Sequence, residues 1–87
     1  MQKIEQILAD RGAEYGDFTT QAGIAQELKG IISCGVADLT RVQAEALDMI
    51  CHKIARILNG DPNYADSWQD IAGYAQLVAD RLEGIER

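Results

Sequence analysis

Four carboxylates on two predicted helices are the residues best suited to chemistry. Glu45 and Asp48 are three residues apart on one helix, and Asp66 and Asp70 are one turn apart at the start of the next. Carboxylates at these spacings share a helix face and can hold Mg²⁺, which prefers oxygen ligands. The pattern predicts a metal held by Asp48, Asp66 and Asp70. A structural explanation stays open, because Asp48 can pair with His52 and acidic residues at a helix start suit the helix dipole.

Two cations and two tyrosines are candidates for binding a phosphorylated ligand. Lys53 and Arg56 suit the dipole at the end of the third predicted helix and can equally bind phosphate. Tyr15 lies in the segment RGAEYGDF, which can cradle phosphate or stack a base, although a tight turn anchored by Tyr15 and Phe18 needs no ligand. Tyr74 lies on a helix face with more apolar residues than a solvated face needs, so we expect a ligand or a neighbouring subunit to cover it. The chain's one histidine has no suitable nucleophile nearby, so a catalytic triad is not predicted.

Four helices must position these residues. Apolar spacing and helix-end signals predict helices over Gln2–Asp10, about Thr20–Ser33, Thr40 to about Leu58, and about Ala65 to Glu83. Thr40 followed by Gln43 is a capping-box pattern, and Asn59-Gly60 is a typical helix end. We predict an all-α, small four-helix bundle in a single domain over residues 1–87, with its two long helices antiparallel. Lys53, Arg56, Asp66 and Asp70 should then lie near one another across the turn.

The predicted core follows an apolar stripe on each long helix. The third helix contributes Leu47, Ile50, Cys51, Ile54 and Leu58, and the fourth contributes Trp68, Ile71, Ala72, Ala75, Val78, Ala79 and Leu82. We therefore expect Trp68 to be buried.

Bulk properties exclude several function classes. The chain has 87 residues and a net charge of −6, which disfavours binding to nucleic-acid phosphates. Cys34 and Cys51 lack metal-ligand spacing, so we expect two buried free thiols in a reducing, cytoplasmic compartment. No apolar run is long enough to span a membrane. A chain this small buries only about 60–65% of its unfolded surface, so we expect a homo-oligomer.

The sequence resembles a family of small bacteriophage and prophage domains that generally have no assigned function. The likeness covers Arg11 to Ala79 and rests on RGAEYGDF, on Lys53-x-x-Arg56, and on the segment DSWQDIAGY from Asp66 to Tyr74. If the resemblance extends to the source, the protein acts in the cytoplasm of a phage-infected host cell.

The sequence is also distantly similar to the MazG-type all-α nucleoside triphosphate pyrophosphohydrolases. Their Mg²⁺-binding acidic pairs correspond here to Glu45 with Asp48 and to Asp70, which the resemblance makes catalytic candidates. Ser67 stands where the second pair has a glutamate, which argues against hydrolysis. Three functions stay open: a Mg²⁺-dependent pyrophosphohydrolase, a nucleotide-binding protein that sequesters its ligand without turnover, and an interaction protein that binds a host or defence protein.

Overall fold

The protein is an all-α bundle in which the third helix is central. The computed structural model describes residues 3–86, and within that range all regular structure is helical. The helices are α1 (Ile4–Tyr15), α2 (Phe18–Ser33), α3 (Arg41–Asn59) and α4 (Ala65–Leu82). α3 packs against α4 on one side and against α2 and α1 on the other. The predicted four-helix bundle is confirmed, although the predicted start of α1 at Gln2 lies outside the described residues.

The two long helices are antiparallel, as predicted. Lys53, near the end of α3, pairs with Asp70 in the second turn of α4. At the other end of the pair, Arg41 in the first turn of α3 lines a shared groove with Arg81 in the last turn of α4. No helix in residues 3–86 is long and apolar enough to cross a membrane.

Several helix ends follow their local sequence signals. Thr40 and Gln43 form the predicted capping box, in which each side chain accepts a hydrogen bond from the other residue's backbone N–H. Asp17 caps α2 by accepting a 2.9 Å hydrogen bond from the Thr20 N–H. Gly84, which follows α4, has the positive φ of 85° that favours glycine.

The predicted end of α1 at Arg11-Gly12 is wrong. α1 continues through Gly12 to Tyr15 and stops at Gly16, whose φ is 79°. A helical glycine costs only about 1 kcal/mol relative to alanine. Packing of Glu14 and Tyr15 against the turn between α3 and α4 offsets that cost. The predicted eight-residue loop is therefore a two-residue turn.

The core consists mainly of small side chains, which contradicts part of the predicted core. Its buried apolar residues are Ala25, Ala46, Cys51 and Ala55, and no large side chain among the described residues is fully buried. Cys51 is buried as predicted, but Cys34 is exposed, because it follows α2 at the start of an exposed connection.

The prediction that Trp68 is buried is wrong. Its side chain is 54% exposed, and its indole N–H donates a 2.8 Å hydrogen bond to the Pro62 carbonyl. The neighbouring Ser67 is buried instead. α4 carries two faces that can pack, and the face bearing Ser67 and Tyr74 is turned toward α3. The face bearing Trp68 is consequently left in solvent.

Candidate functional site

The turn between α1 and α2 packs directly on the turn between α3 and α4. The Asp61 N–H donates a 2.8 Å hydrogen bond to the Glu14 carbonyl. The Asn59 side-chain amide donates to the carbonyls of Tyr15, at 2.9 Å, and Asp17, at 2.7 Å. Gly60 lies so close to Tyr15 that a methyl group on Gly60 would be 2.6 Å from the Tyr15 carbonyl carbon. This contact unites the RGAEYGDF segment with the end of α3.

A cation and two aromatic rings extend from this contact. The Arg56 guanidinium lies over the Tyr15 ring, 4.2 Å from its centroid. The Tyr15 and Tyr64 rings meet edge to face, with centroids 5.9 Å apart. The Tyr64 hydroxyl donates a 3.2 Å hydrogen bond to Asp66, and this bond, together with the negative charges of Asp66 and Glu14, raises the pKa of Tyr64 to about 12. Arg56 and Asp66 are therefore linked through two tyrosines.

A cleft of about 620 Å³ opens beside this stack. We call it the arginine cleft. It is lined by Leu8, Arg11, Gly12, Tyr15, Gly16, Asp17, Phe18, Gln21, His52 and Arg56. α1 contributes one continuous face to it, because Leu8, Arg11, Gly12 and Tyr15 follow helical spacing. α3 contributes His52 and Arg56, one turn apart.

The lining of the arginine cleft has two arginines and one carboxylate, although the chain as a whole is acidic. Neither Arg11 nor Arg56 forms an ion pair with any residue in the described range of 3–86. The Arg56 Nε is buried and has no hydrogen-bond acceptor among the residues that the structure describes. Burial lowers the pKa of His52, and the positive charges of Arg56, Lys53 and Lys29 lower it further. The one carboxylate of the cleft, Asp17, caps α2, and the Thr20 N–H lowers its pKa.

Lys53 and Asp70 lie together as predicted, but they form an ion pair with each other. The Lys53 Nζ is 3.1 Å from the Asp70 Oδ2, and their side chains are 10% and 50% exposed. The pair joins α3 to α4 outside the arginine cleft. Of the four predicted ligand-binding residues, Tyr15 and Arg56 line the cleft, whereas Lys53 does not.

The fourth predicted ligand-binding residue, Tyr74, lies on another side of the molecule. It lines a groove of about 300 Å³ with Glu45, Arg41 and Arg81, between α3 and α4. α3 therefore covers part of the helix face that we expected a ligand or a subunit to cover. Asp48 lies on α3 one turn before His52.

The predicted magnesium ligands do not gather at one point. Asp70 pairs with Lys53, and Asp66 accepts a hydrogen bond from Tyr64. Within residues 3–86, no group of three or more histidine, cysteine or acidic side chains is arranged to hold a metal ion. Mg²⁺ binding stays a prediction.

The sequence reasoning missed Arg11, Gln21, His52 and Asn59 as components of this region. A usable signal existed for Arg11. Continuing α1 past Gly12 would have placed Leu8, Arg11 and Tyr15 on one face. Asn59 was interpreted only as part of a helix end, because its hydrogen bonds to residues 15 and 17 span more than forty positions.

Comparisons with known proteins identify a family without indicating an activity. No curated protein and no solved structure matched the chain. The phage source and the likeness to MazG-type enzymes therefore stay predictions. One family model, described as a domain of unknown function, matches residues 1–82. Because the match covers nearly all of the 87 residues, the chain belongs to the DUF6378 family.

Proposed function

We propose that this protein binds a small phosphorylated ligand, of the nucleotide class, in the arginine cleft. The observation that carries the proposal is the presence, in one cleft, of two arginines that have no carboxylate partner within residues 3–86, in a chain whose net charge is −6. A chain with 14 acidic and 8 basic residues has ample acidic side chains to neutralise two arginines. An anionic ligand would supply the missing charge.

Arg11 and Arg56 are suited to holding the phosphates. A guanidinium offers donors in a planar fork that matches two phosphate oxygens. Stacking on Tyr15 restrains Arg56 before a ligand arrives, which lowers the entropy lost on binding. His52 adds an imidazole that can take up a proton when a negatively charged ligand binds.

The cleft has room and an aromatic surface for a base. Its volume of about 620 Å³ lies within the usual range for small-molecule sites. Phe18 lines the cleft and is 74% exposed, so one face of its ring is available for stacking. A base on Phe18 with its phosphates toward Arg11 and Arg56 accounts for both features.

Binding and turnover are separate questions at this site. The carboxylates predicted for Mg²⁺ chemistry, Glu45, Asp48 and Asp70, do not line the arginine cleft. We therefore propose binding as the function and keep Mg²⁺-dependent pyrophosphohydrolysis as an outcome of the test. Incubation of each bound nucleotide with Mg²⁺, followed by product analysis, distinguishes a sequestering protein from an enzyme.

The test is a thermal-shift and calorimetric series with phosphate, pyrophosphate and nucleoside mono-, di- and triphosphates, with and without Mg²⁺. A ligand at a hundred times its Kd adds about 2.7 kcal/mol of stability. Arg11→Gln and Arg56→Gln should each weaken binding about tenfold to a hundredfold, because each removes a charge-assisted contact. Arg41→Gln is the matched control, since Arg41 is an exposed arginine of α3 outside the cleft.

Two results would overturn the proposal. One is the absence of a shift with every phosphorylated compound. The other is binding by both cleft variants with the affinity of the wild type. An interaction protein that acts on a host or defence protein would then be the remaining function.

A further inference from the structure

Part of the apolar stripes that the sequence pattern predicts as core lies at the surface of the two long helices. A groove of about 350 Å³ lies between them, and Leu47, Ile50, Ala75 and Val78 contribute to its lining. On α4, the apolar surface continues through Trp68 and through Leu82, which is 72% exposed. We call these six residues the apolar face. None of them carries a charge.

The chain also has more surface than a monomer of its size. Its accessible surface is 6298 Å², whereas a monomeric protein of 9.5 kDa exposes about 5,050 Å². The excess is about 1,250 Å², and each partner in a standard interface loses about 800 Å². The radius of gyration is 14.9 Å, compared with about 12 Å for a compact chain of this length. An interface of standard size would therefore remove about two-thirds of this excess.

We propose that the partner is a second copy of this chain, docked on the apolar face in an antiparallel, two-fold arrangement. The reason lies in the spacing along α4. Its outward apolar residues follow the alternating four- and three-residue steps of a helix-pairing seam, at Trp68, Ala72, Ala75, Ala79 and Leu82. The stripe has large residues at both ends and alanines between them, with Ala75 at its midpoint.

Such a stripe is complementary to its own reversed copy. In a two-fold pair, the same patch is used on both subunits, and a residue at the axis meets itself. With the axis beside Ala75, Trp68 packs toward the partner's Leu82 at both ends. The alanines allow the two α4 helices to approach closely at the centre. The net charge of −6 on each copy opposes this association at long range, so added salt should strengthen it.

Sedimentation or light scattering on the full chain tests the oligomeric state. We expect a wild-type assembly of at least twice the 9.5 kDa chain mass. Ala75→Arg should raise the Kd of the pair at least about a hundredfold, because it sets like charges against each other at the axis. Ala9→Arg is the matched control, since Ala9 is an exposed alanine of α1 outside the apolar face. A monomeric wild type, or an assembly that Ala75→Arg leaves intact, would overturn the proposal.

If Ala75→Arg does not fold, disulfide trapping tests the same proposal. Ala75→Cys in a Cys34→Ser background should form a covalent dimer on mild oxidation, because the two cysteines meet at the axis. Ala9→Cys in the same background should remain monomeric in denaturing gels. A covalent dimer at residue 75 alone supports the proposal, and equal or absent cross-linking at both positions refutes it.

Discussion

Substituting Gly60 tests whether contact between the two turns holds α1 in place. The backbone φ of Gly60 is −131°, outside the left-handed region, so a positive φ is not the reason for the glycine. It is needed because the Glu14 carbonyl and the Tyr15 backbone occupy the space of a side chain. We predict that Gly60→Ala forces the two turns apart.

The magnitude follows from the hydrogen bonds that this separation breaks. They are the bond from Asp61 to Glu14 and the two bonds from Asn59 to Tyr15 and Asp17. At about 1 kcal/mol for each bond, the loss is about 3 kcal/mol. For a domain of this size, that loss lowers Tm by about 12–24 °C.

Thermal and urea unfolding followed by circular dichroism measure the effect. Gly73→Ala is the control, because Gly73 is an exposed helical glycine with no neighbour within 4 Å of an added methyl group. It should be neutral or stabilise by up to about 1 kcal/mol, owing to the higher helix propensity of alanine. If the free energy of unfolding of Gly60→Ala lies within about 0.5 kcal/mol of the wild-type value, the two turns do not pack as described.

Three further predictions concern titratable groups. Asp70→Asn should destabilise by about 1–2 kcal/mol in urea unfolding, since Lys53 loses its ion-pair partner while Asp70 is half exposed. In the folded protein the pKa of His52 lies below its usual 6.5, so the free energy of unfolding should fall as the pH drops below about 6.5. In thermal melts from pH 8 to pH 5, His52→Gln should show a weaker dependence on pH than the wild type. Burial raises the pKa of the Cys51 thiol and Asp48 raises it further, whereas Cys34 is exposed. A thiol reagent should therefore modify Cys34 rapidly and Cys51 only on unfolding.

The sequence predicted those parts of the fold that depend on local signals. The capping box at Thr40, the end of α3 before Gly60 and the antiparallel turn are encoded within a few residues each. The proximity of Lys53 and Asp70 followed from that turn. These features need no information about distant parts of the chain.

The failures have a common cause in long-range packing. The end of α1 depends on contacts between residues 14–17 and residues 59–61, which spacing within α1 does not show. The orientation of α4 depends on which of two possible faces meets α3. Hydrophobic periodicity favoured the face bearing Trp68, whereas the structure turns Ser67 and Tyr74 inward. The arginine cleft was missed because it exists only once α1 extends to Tyr15.

The contact between the turns also has a consequence for the order in which the chain folds. α3 and α4 are neighbours in sequence, so their pairing closes a short loop at low entropic cost, whereas the bond between Asp61 and Glu14 closes a loop of more than forty residues. α1 itself contributes no buried residue. α1 is therefore expected to become fixed last. Its amides should exchange with solvent through undocking, at a free energy below that of global unfolding.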